Sequence, residues 1–256
     1  MAPRFNNLDM QAHDIWAAFS LLSRLPVPVD HARSGARGAR AAWAYPIVGA
    51  AIGVMAGCIG AVGLWIGLPA GMVGAFVLAI LALLSGGMHE DGLADFADGV
   101  GGGRNVAQRL EIMKDSRIGA YGAIALCLAL LARWSGIAAL EGWALIGALA
   151  MTGAISRSAV VFLMYIMPPA RPEGLSSSAG KPLKSSLLIA LFIALFISIL
   201  CAGLWGILIF ALSFLGIIPI YGLAQRNLRG QTGDVLGAAQ QCVEIASLAA
   251  ILAILA

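Results

Sequence analysis

The sequence predicts an all-α fold, a bundle of about seven transmembrane helices, and three observations predict it. Hydrophobic residues make up 60% of the 256 positions and charged residues only 11%, with a mean hydropathy of +0.90. A soluble domain carries roughly a quarter charged residues, so this chain cannot cover a water-facing surface. Secondly, no Asp, Glu, Lys or Arg occurs from Ala41 to Met88 or from Ser185 to Gln225. Each run is about twice the length that one spanning helix needs, so both read as helical hairpins. Thirdly, Ser186 to Cys201 is continuously apolar instead of alternating, which favours helices over barrel strands.

Apolar stretches between charged ones place the spans near residues 43–66, 69–88, 118–137, 142–166, 186–203, 204–224 and 235–255. The first 14 residues are polar, and the apolar stretch Ile15–Leu22 stops at Ser23-Arg24-Leu25-Pro26. This pattern predicts an interfacial or half-buried helix and no cleavable signal peptide. Cys58, Cys127, Cys201 and Cys242 are isolated in apolar segments and read as packing residues.

Orientation follows from the basic residues, which concentrate on the cytoplasmic side of a membrane. All but two of the 16 fall in segments on one side of this map. The exceptions are Arg133, placed on the opposite face, and Arg157, placed inside a span. The N-terminus and the polar loops are therefore expected in the cytoplasm. The basic balance, with a pI near 8.8, reflects this topology and no nucleic-acid partner is expected. One integral-membrane domain covers residues 1–256. Residues 1–42 form a cytoplasmic or interfacial segment, and residues 89–117 form the cytoplasmic segment where chemistry is expected.

Six of the 13 acidic residues lie between Glu90 and Asp115. On a helix, Asp91, Asp95 and Asp98 fall at i, i+4 and i+7 and share one face. Clustered carboxylates repel one another unless a cation lies between them, and hard oxygen ligands suit Mg²⁺ or Mn²⁺ bound jointly with substrate phosphates. Acids directly after a spanning segment are expensive and point to function over a solvated helix face. Arg104, Arg109, Lys114 and Arg117 lie in the same region. A divalent metal flanked by basic groups is the equipment of phosphoryl or nucleotidyl transfer, while the same four residues also fit positive-inside anchoring. Gly99 to Gly103 reads as a phosphate-binding nest or as a flexible connector. His89 reads as a base, a ligand or an interfacial histidine. Intramembrane Arg157 and Glu244 are expected to face the interior, either pairing with each other or lining a cavity. Arg226, Arg229 and Asp234 are candidate contacts for a nucleotide or a large ligand.

Two long motifs resemble a known family. His89-Glu90-Asp91-Gly92-Leu93-Ala94-Asp95 with Ala97-Asp98-Gly99, and Glu111-Ile112-Met113-Lys114-Asp115-Ser116-Arg117-Ile118-Gly119, are similar to the signatures of adenosylcobinamide-GDP ribazoletransferases. Arg24-Leu25-Pro26-Val27-Pro28, Ser156-Arg157 and Gly233-Asp234-Val235-Leu236-Gly237-Ala238 agree in order along nearly the whole chain. The resemblance implies a bacterial inner-membrane enzyme, with its active site facing the cytoplasm. It would transfer phosphocobinamide from adenosylcobinamide-GDP to α-ribazole or its 5′-phosphate, with Mg²⁺ as cofactor. Asp91, Asp95, Asp98 and Glu90 are then the candidate metal ligands. Asp91, Asp95, Asp98, Asp115 and His89 are the candidate catalytic residues, with Asp115 either a ligand or the base. Arg104, Arg109, Lys114 and Arg117 are the candidate substrate-phosphate contacts. The number of metal ions stays open, as does assembly into a homo-oligomer or with other enzymes of cobalamin synthesis.

Two other readings compete. A CDP-alcohol phosphotransferase shares the metal chemistry, but the Ala-Arg that follows its first Asp-Gly is missing here. A secondary transporter would place its acids at the midplane of several matched helices, whereas these cluster at the end of one span.

Overall fold

The computed structural model describes residues 10–140 and 142–255. Among these residues the chain is helical and has no strand; a single isolated parallel bridge joins Pro169 and Gln231. The helices are α1 (His13–Leu22), α2 (His31–Arg37), α3 (Tyr45–Trp65), α4 (Ala70–Ser85), α5 (Met88–Gly102), α6 (Val106–Ile112) and α7 (Ala120–Ala138). They continue with α8 (Gly142–Ile166), α9 (Leu175–Ala179), α10 (Lys184–Ala202), α11 (Trp205–Ser213), α12 (Ile217–Asn227) and α13 (Gly233–Leu255). A 3₁₀ segment, Gly38–Ala44, runs α2 into α3, and another, Phe214–Gly216, runs α11 into α12.

Six helical stretches among the described residues are long and apolar enough to cross a membrane: His31–Trp65, α7, α8, α10, Trp205–Asn227 and α13. The seventh span expected from the sequence takes a different form. Helix α4 has 16 residues, short of the ~20 that a spanning helix needs, and it meets α5 at a bend of 89°. Gly86 and Gly87 make that break, at φ +71° and +68°, a left-handed conformation that residues with a side chain seldom adopt. Large apolar side chains such as Trp65, Leu83, Phe192 and Leu200 point outward and are more than half exposed, as lipid-facing residues must be.

Helix α8 is the central post, and most of its side chains are buried. It packs antiparallel to α3 through glycines four residues apart. A Cβ on Gly49 would stand 2.1 Å from the Gly153 carbonyl oxygen, and one on Gly153 would stand 2.2 Å from the Gly49 oxygen. Backbones this close are the means by which membrane helices gain packing energy without a hydrophobic driving force. The N-terminal segment is pinned by buried Asp14, which accepts hydrogen bonds from Arg37 and, at 2.9 Å, from the Trp43 indole N–H. The chain then crosses to the end of α4, where the Arg24 backbone N–H donates to the Leu84 carbonyl at 2.7 Å.

A charged network ties four helices together inside the bundle. Arg133 on α7 donates to Glu90 on α5, Glu244 on α13 and Gln241 on α13, each at 2.8 Å. Arg157 on α8 donates to the other Glu244 oxygen at 2.5 Å and to the Ser156 hydroxyl at 3.0 Å. Gln240 donates to Ser156 and Glu244. The expected pairing of Arg157 with Glu244 is therefore present. Arg133 corrects the sequence reading: it is 3% exposed and belongs to the interior, not to the opposite face. Two carboxylates neutralise two guanidiniums here, which makes a charge at this depth tolerable.

Candidate active site

Helix α5 carries most of the acids and lies in a groove between α7 and α13. Its start is fixed by the Glu90–Arg133 pair, with Gln241 donating to the same Glu90 oxygen at 3.1 Å. Its middle touches the first turn of α13, where a Cβ on Gly92 would stand 3.1 Å from the Asp234 Cα. Its far end is fixed by Asp98, whose two carboxylate oxygens accept the backbone N–H groups of Gly119 at 2.7 Å and Gly122 at 2.9 Å. Those N–H groups belong to the first turn of α7, so Asp98 takes up donors that a helix start otherwise leaves unpaired and meets the positive end of the helix dipole.

The five acids of this region therefore separate into two sets. Glu90 and Asp98 are committed to holding α5 against α7. Asp91 is exposed, and Asp95 and Asp234 are half-buried. Asp95 lies close enough to Asp91, Asp98 and Asp234 to feel the charge of all three. His89 is buried against α13, beside Gly237, and feels the charges of Arg157 and Arg133. Among the described residues, no three His, Cys, Asp or Glu side chains form a set that would hold a metal ion by themselves. The i, i+4, i+7 spacing put Asp98 on the correct face, but its oxygens are occupied by backbone donors.

Asp91 also borders a polar cavity of about 580 Å³ at the α4–α5 break, lined by Ser20, Ser23, Arg24 and Ser85 among others. The Arg-Leu-Pro-Val-Pro segment and the first acidic motif thus meet in space, with Arg24 and Asp91 lining one cavity. A cavity of this size takes a nucleotide-sized portion of a ligand and leaves anything bulkier outside.

The basic candidates are spread more widely. Arg109, on α6, is half-buried and reaches the Asn227 carbonyl at 3.3 Å, while its Nε is buried with no partner among the described residues. Arg104 and Lys114 are exposed. Arg117 is exposed and bonded to Asp115 at 2.6 Å, an arrangement that holds the Asp115 carboxyl down to about 2. The structure does not bring Asp115, Arg117 or Lys114 into the Asp91–Asp95–Asp234 group. Arg226 and Arg229 are also exposed, with Arg229 at φ +58°. Sequence reasoning placed Asp234 among weak contacts and missed its position beside Asp95. It gave Arg24 no chemical role. The signals for both were the short motifs in which they sit.

Residues 14–252 match the cobalamin-5-phosphate synthase family. A Bradyrhizobium diazoefficiens protein named adenosylcobinamide-GDP ribazoletransferase is 40% identical over 240 residues, covering 92% of this chain and 91% of its own length. Proteins of the same name from Azorhizobium caulinodans and Rhizobium meliloti are 41% identical over 253 residues and 40% identical over 255, each covering 93% of this chain and 95% of the relative. No solved structure matches the chain. Because the family match spans nearly the whole chain and the relatives are about 40% identical over more than nine-tenths of both lengths, this chain belongs to the cobalamin-5-phosphate synthase family.

Proposed function

We infer that the chain carries out the reaction for which its relatives are named: it joins adenosylcobinamide-GDP to α-ribazole, or to its 5′-phosphate, in a late step of cobalamin synthesis. The observation that carries the site assignment is the separation of the acids. Asp14, Glu90, Asp98 and Glu244 are each bonded to an arginine or to helix N–H groups. Among the described residues Asp91 and Asp95 have no such partner, and Asp234 has a guanidinium 3.9 Å away and accepts a hydrogen bond from the Thr232 hydroxyl at 3.1 Å. Asp91 lines the polar cavity, and Asp95 and Asp234 lie close enough to feel its charge.

That donor set fits Mg²⁺, which binds through one or two carboxylates plus substrate phosphates in preference to an all-protein cage. Asp91 and Asp95, with Asp234 beside them, are the residues that would hold it. When bound, the ion supplies neutralising charge for the diphosphate oxygens. The remaining work falls to the chain. Arg24, near the start of α5, and Arg109, near its far end, offer guanidinium donors to phosphate oxygens. The rigid anchoring of α5 at Glu90 and Asp98 keeps the carboxylates in register, so that the substrates meet in one orientation. A ribose hydroxyl oxygen of the ribazole other than the 5′ oxygen, which carries the phosphate in the alternative acceptor, attacks the phosphorus on the cobinamide side, the bond from that phosphorus to the bridging oxygen breaks, and GMP departs with that oxygen. The hydroxyl proton passes to a carboxylate of the site. The polar end of the bundle faces the cytoplasm of the bacterial inner membrane, as the distribution of Lys and Arg supports.

The test is turnover of adenosylcobinamide-GDP and α-ribazole by purified, detergent-solubilised protein, with and without Mg²⁺. Wild type should form adenosylcobalamin and GMP only with Mg²⁺, and Asp91→Ala should abolish both products. A folded wild type that makes no product would sink the assignment and turn attention to CDP-linked donors.

A further inference from the structure

We propose that Arg171 is a substrate-phosphate contact of this site; the proposal deepens the transferase reading and rests on it. In the sequence, Arg171 counts only as one of the basic residues of the loop after α8. The structure gives it a specific position. The Gln231 N–H donates to the Pro168 carbonyl and the Ala170 N–H to the Gln231 carbonyl, both at 2.8 Å. This small bridge binds the loop after α8 to the segment that enters α13, and it delivers the Arg171 guanidinium to within 3.9 Å of the Asp234 carboxylate.

That distance is an ion-pair approach and lies beyond hydrogen-bond reach. The Arg171 side chain is 21% exposed, and its Nη1 is buried with no hydrogen-bond partner among the described residues. On the same bridge Gln231 is 2% exposed, and its Oε1 acceptor is also buried without a partner. Buried polar groups in folded proteins are nearly always bonded, so a donor and an acceptor left unspent at the same bridge mark a place where a ligand completes the set. The contrast with neighbouring cations sharpens this. Arg133 is engaged by Glu90, Glu244 and Gln241, and Arg117 is spent on Asp115 in the open. Arg171 is half-buried beside Asp234, with Nη2 turned to that carboxylate and Nη1 left unspent among the described residues. A planar fork matches two oxygens of one phosphate, which a point charge does not. It also offsets the repulsion that Asp234 would exert on an arriving anion.

The experiment compares wild type, Arg171→Gln and Arg171→Lys as full-length protein in detergent, with the thermal midpoint recorded for each. KM for adenosylcobinamide-GDP is measured at saturating α-ribazole. KM for α-ribazole and for its 5′-phosphate is measured at saturating donor. Losing one charge-assisted contact should raise KM for the phosphate-bearing substrate about ten- to a hundredfold in Arg171→Gln, with partial recovery in Arg171→Lys and little change in midpoint. A rise for the donor locates the contact on its diphosphate. A rise for ribazole 5′-phosphate but not for ribazole locates it on the acceptor phosphate. Unchanged KM values, or kcat and midpoint falling together with KM constant, would show that Arg171 only ties two loops, and would overturn the proposal. Equilibrium binding of GDP and of ribazole 5′-phosphate to wild type and Arg171→Gln reads the same contact without turnover. An inactive wild type would therefore count against the transferase reading while still deciding this one.

Discussion

Replacing Glu244 with Gln removes one of the two negative charges that balance Arg133 and Arg157 inside the bundle. Native Glu244 receives Arg133 at 2.8 Å and Arg157 at 2.5 Å, and its side chain is 6% exposed. In the variant, Glu90 still neutralises Arg133, but Arg157 keeps only the Ser156 hydroxyl, at 3.0 Å, as a strong acceptor. The surviving guanidinium retains its desolvation cost without a counter-charge, and breaking a buried pair from one side costs about 3–5 kcal/mol. Gln keeps the shape and one acceptor oxygen, so the lower end, about 3 kcal/mol, is expected. For a chain of this length that is a fall of roughly 6–12 °C in the thermal midpoint.

The reasoning requires more than a loss of stability, because many interior substitutions destabilise. Adding Arg157→Met to Glu244→Gln removes the stranded cation and leaves the neutral Arg133–Glu90 pair. The double variant should then regain about 2 kcal/mol over Glu244→Gln, so that the two changes are strongly non-additive. The assay is reversible unfolding in mixed micelles, followed by tryptophan fluorescence through the full cycle of single and double variants. Additive losses, or a Glu244→Gln effect below about 1 kcal/mol, would show that the four charges do not act as one neutral unit.

Three further outcomes follow from the same geometry. Asp98→Ala strips the acceptor from the Gly119 and Gly122 N–H groups and should cost about 1–2 kcal/mol of stability. In melting and turnover assays, it should lower the midpoint more than Asp91→Ala does, while Asp91→Ala lowers turnover more. Gly153→Ala drives a Cβ against the Gly49 carbonyl oxygen, which cannot yield without parting α3 from α8. The expected result is a collapse in the yield of monodisperse protein on size-exclusion chromatography. Asp115, held down to about 2 by Arg117, stays ionised as pH falls until that value is reached. The acid limb of the pH–rate profile above about pH 4 then belongs to other groups, and Asp115→Asn should leave the limb where it is.

Much of the bundle was legible because hydropathy and span length are nearly one-dimensional properties. The stretches 142–166 and 235–255, expected as spans, appear as α8 and α13. Residues 69–88 were less legible. Their apolarity indicated a span, but the angle at Gly86–Gly87 depends on left-handed backbone that composition does not reveal. The site was readable as a cluster, since a helical period places Asp91, Asp95 and Asp98 on one face. The period says nothing of what packs opposite that face. For this reason Asp98, bound by the α7 N–H groups, and Asp234, arriving from far along the chain, were beyond a local pattern. Arg133 was misplaced for the same reason, because its partners Glu90 and Glu244 lie on other helices.

The division of labour along α5 follows from where that helix is obliged to start. Gly86 and Gly87 turn the chain beside the interior network, so Glu90 would be an unpaired charge among apolar helices if Arg133 did not meet it. One residue later the helix has rotated by about 100°, and Asp91 faces the polar cavity instead. Asp95 follows one turn on, beside the first turn of α13. Helical phase thus separates Glu90 from Asp91 and Asp95, whereas Asp98 shares their face and is set apart by the α7 N–H groups that meet it at the far end of the helix. A substitution that loosens the Glu90–Arg133 anchor would rotate or shift Asp91 and Asp95 together. Arg133→Gln should therefore depress kcat in a way that raising Mg²⁺ does not restore, whereas Asp95→Asn, which weakens the donor set directly, should be partly rescued by Mg²⁺. Equal rescue of both variants in a Mg²⁺ titration would remove the distinction between anchor and site.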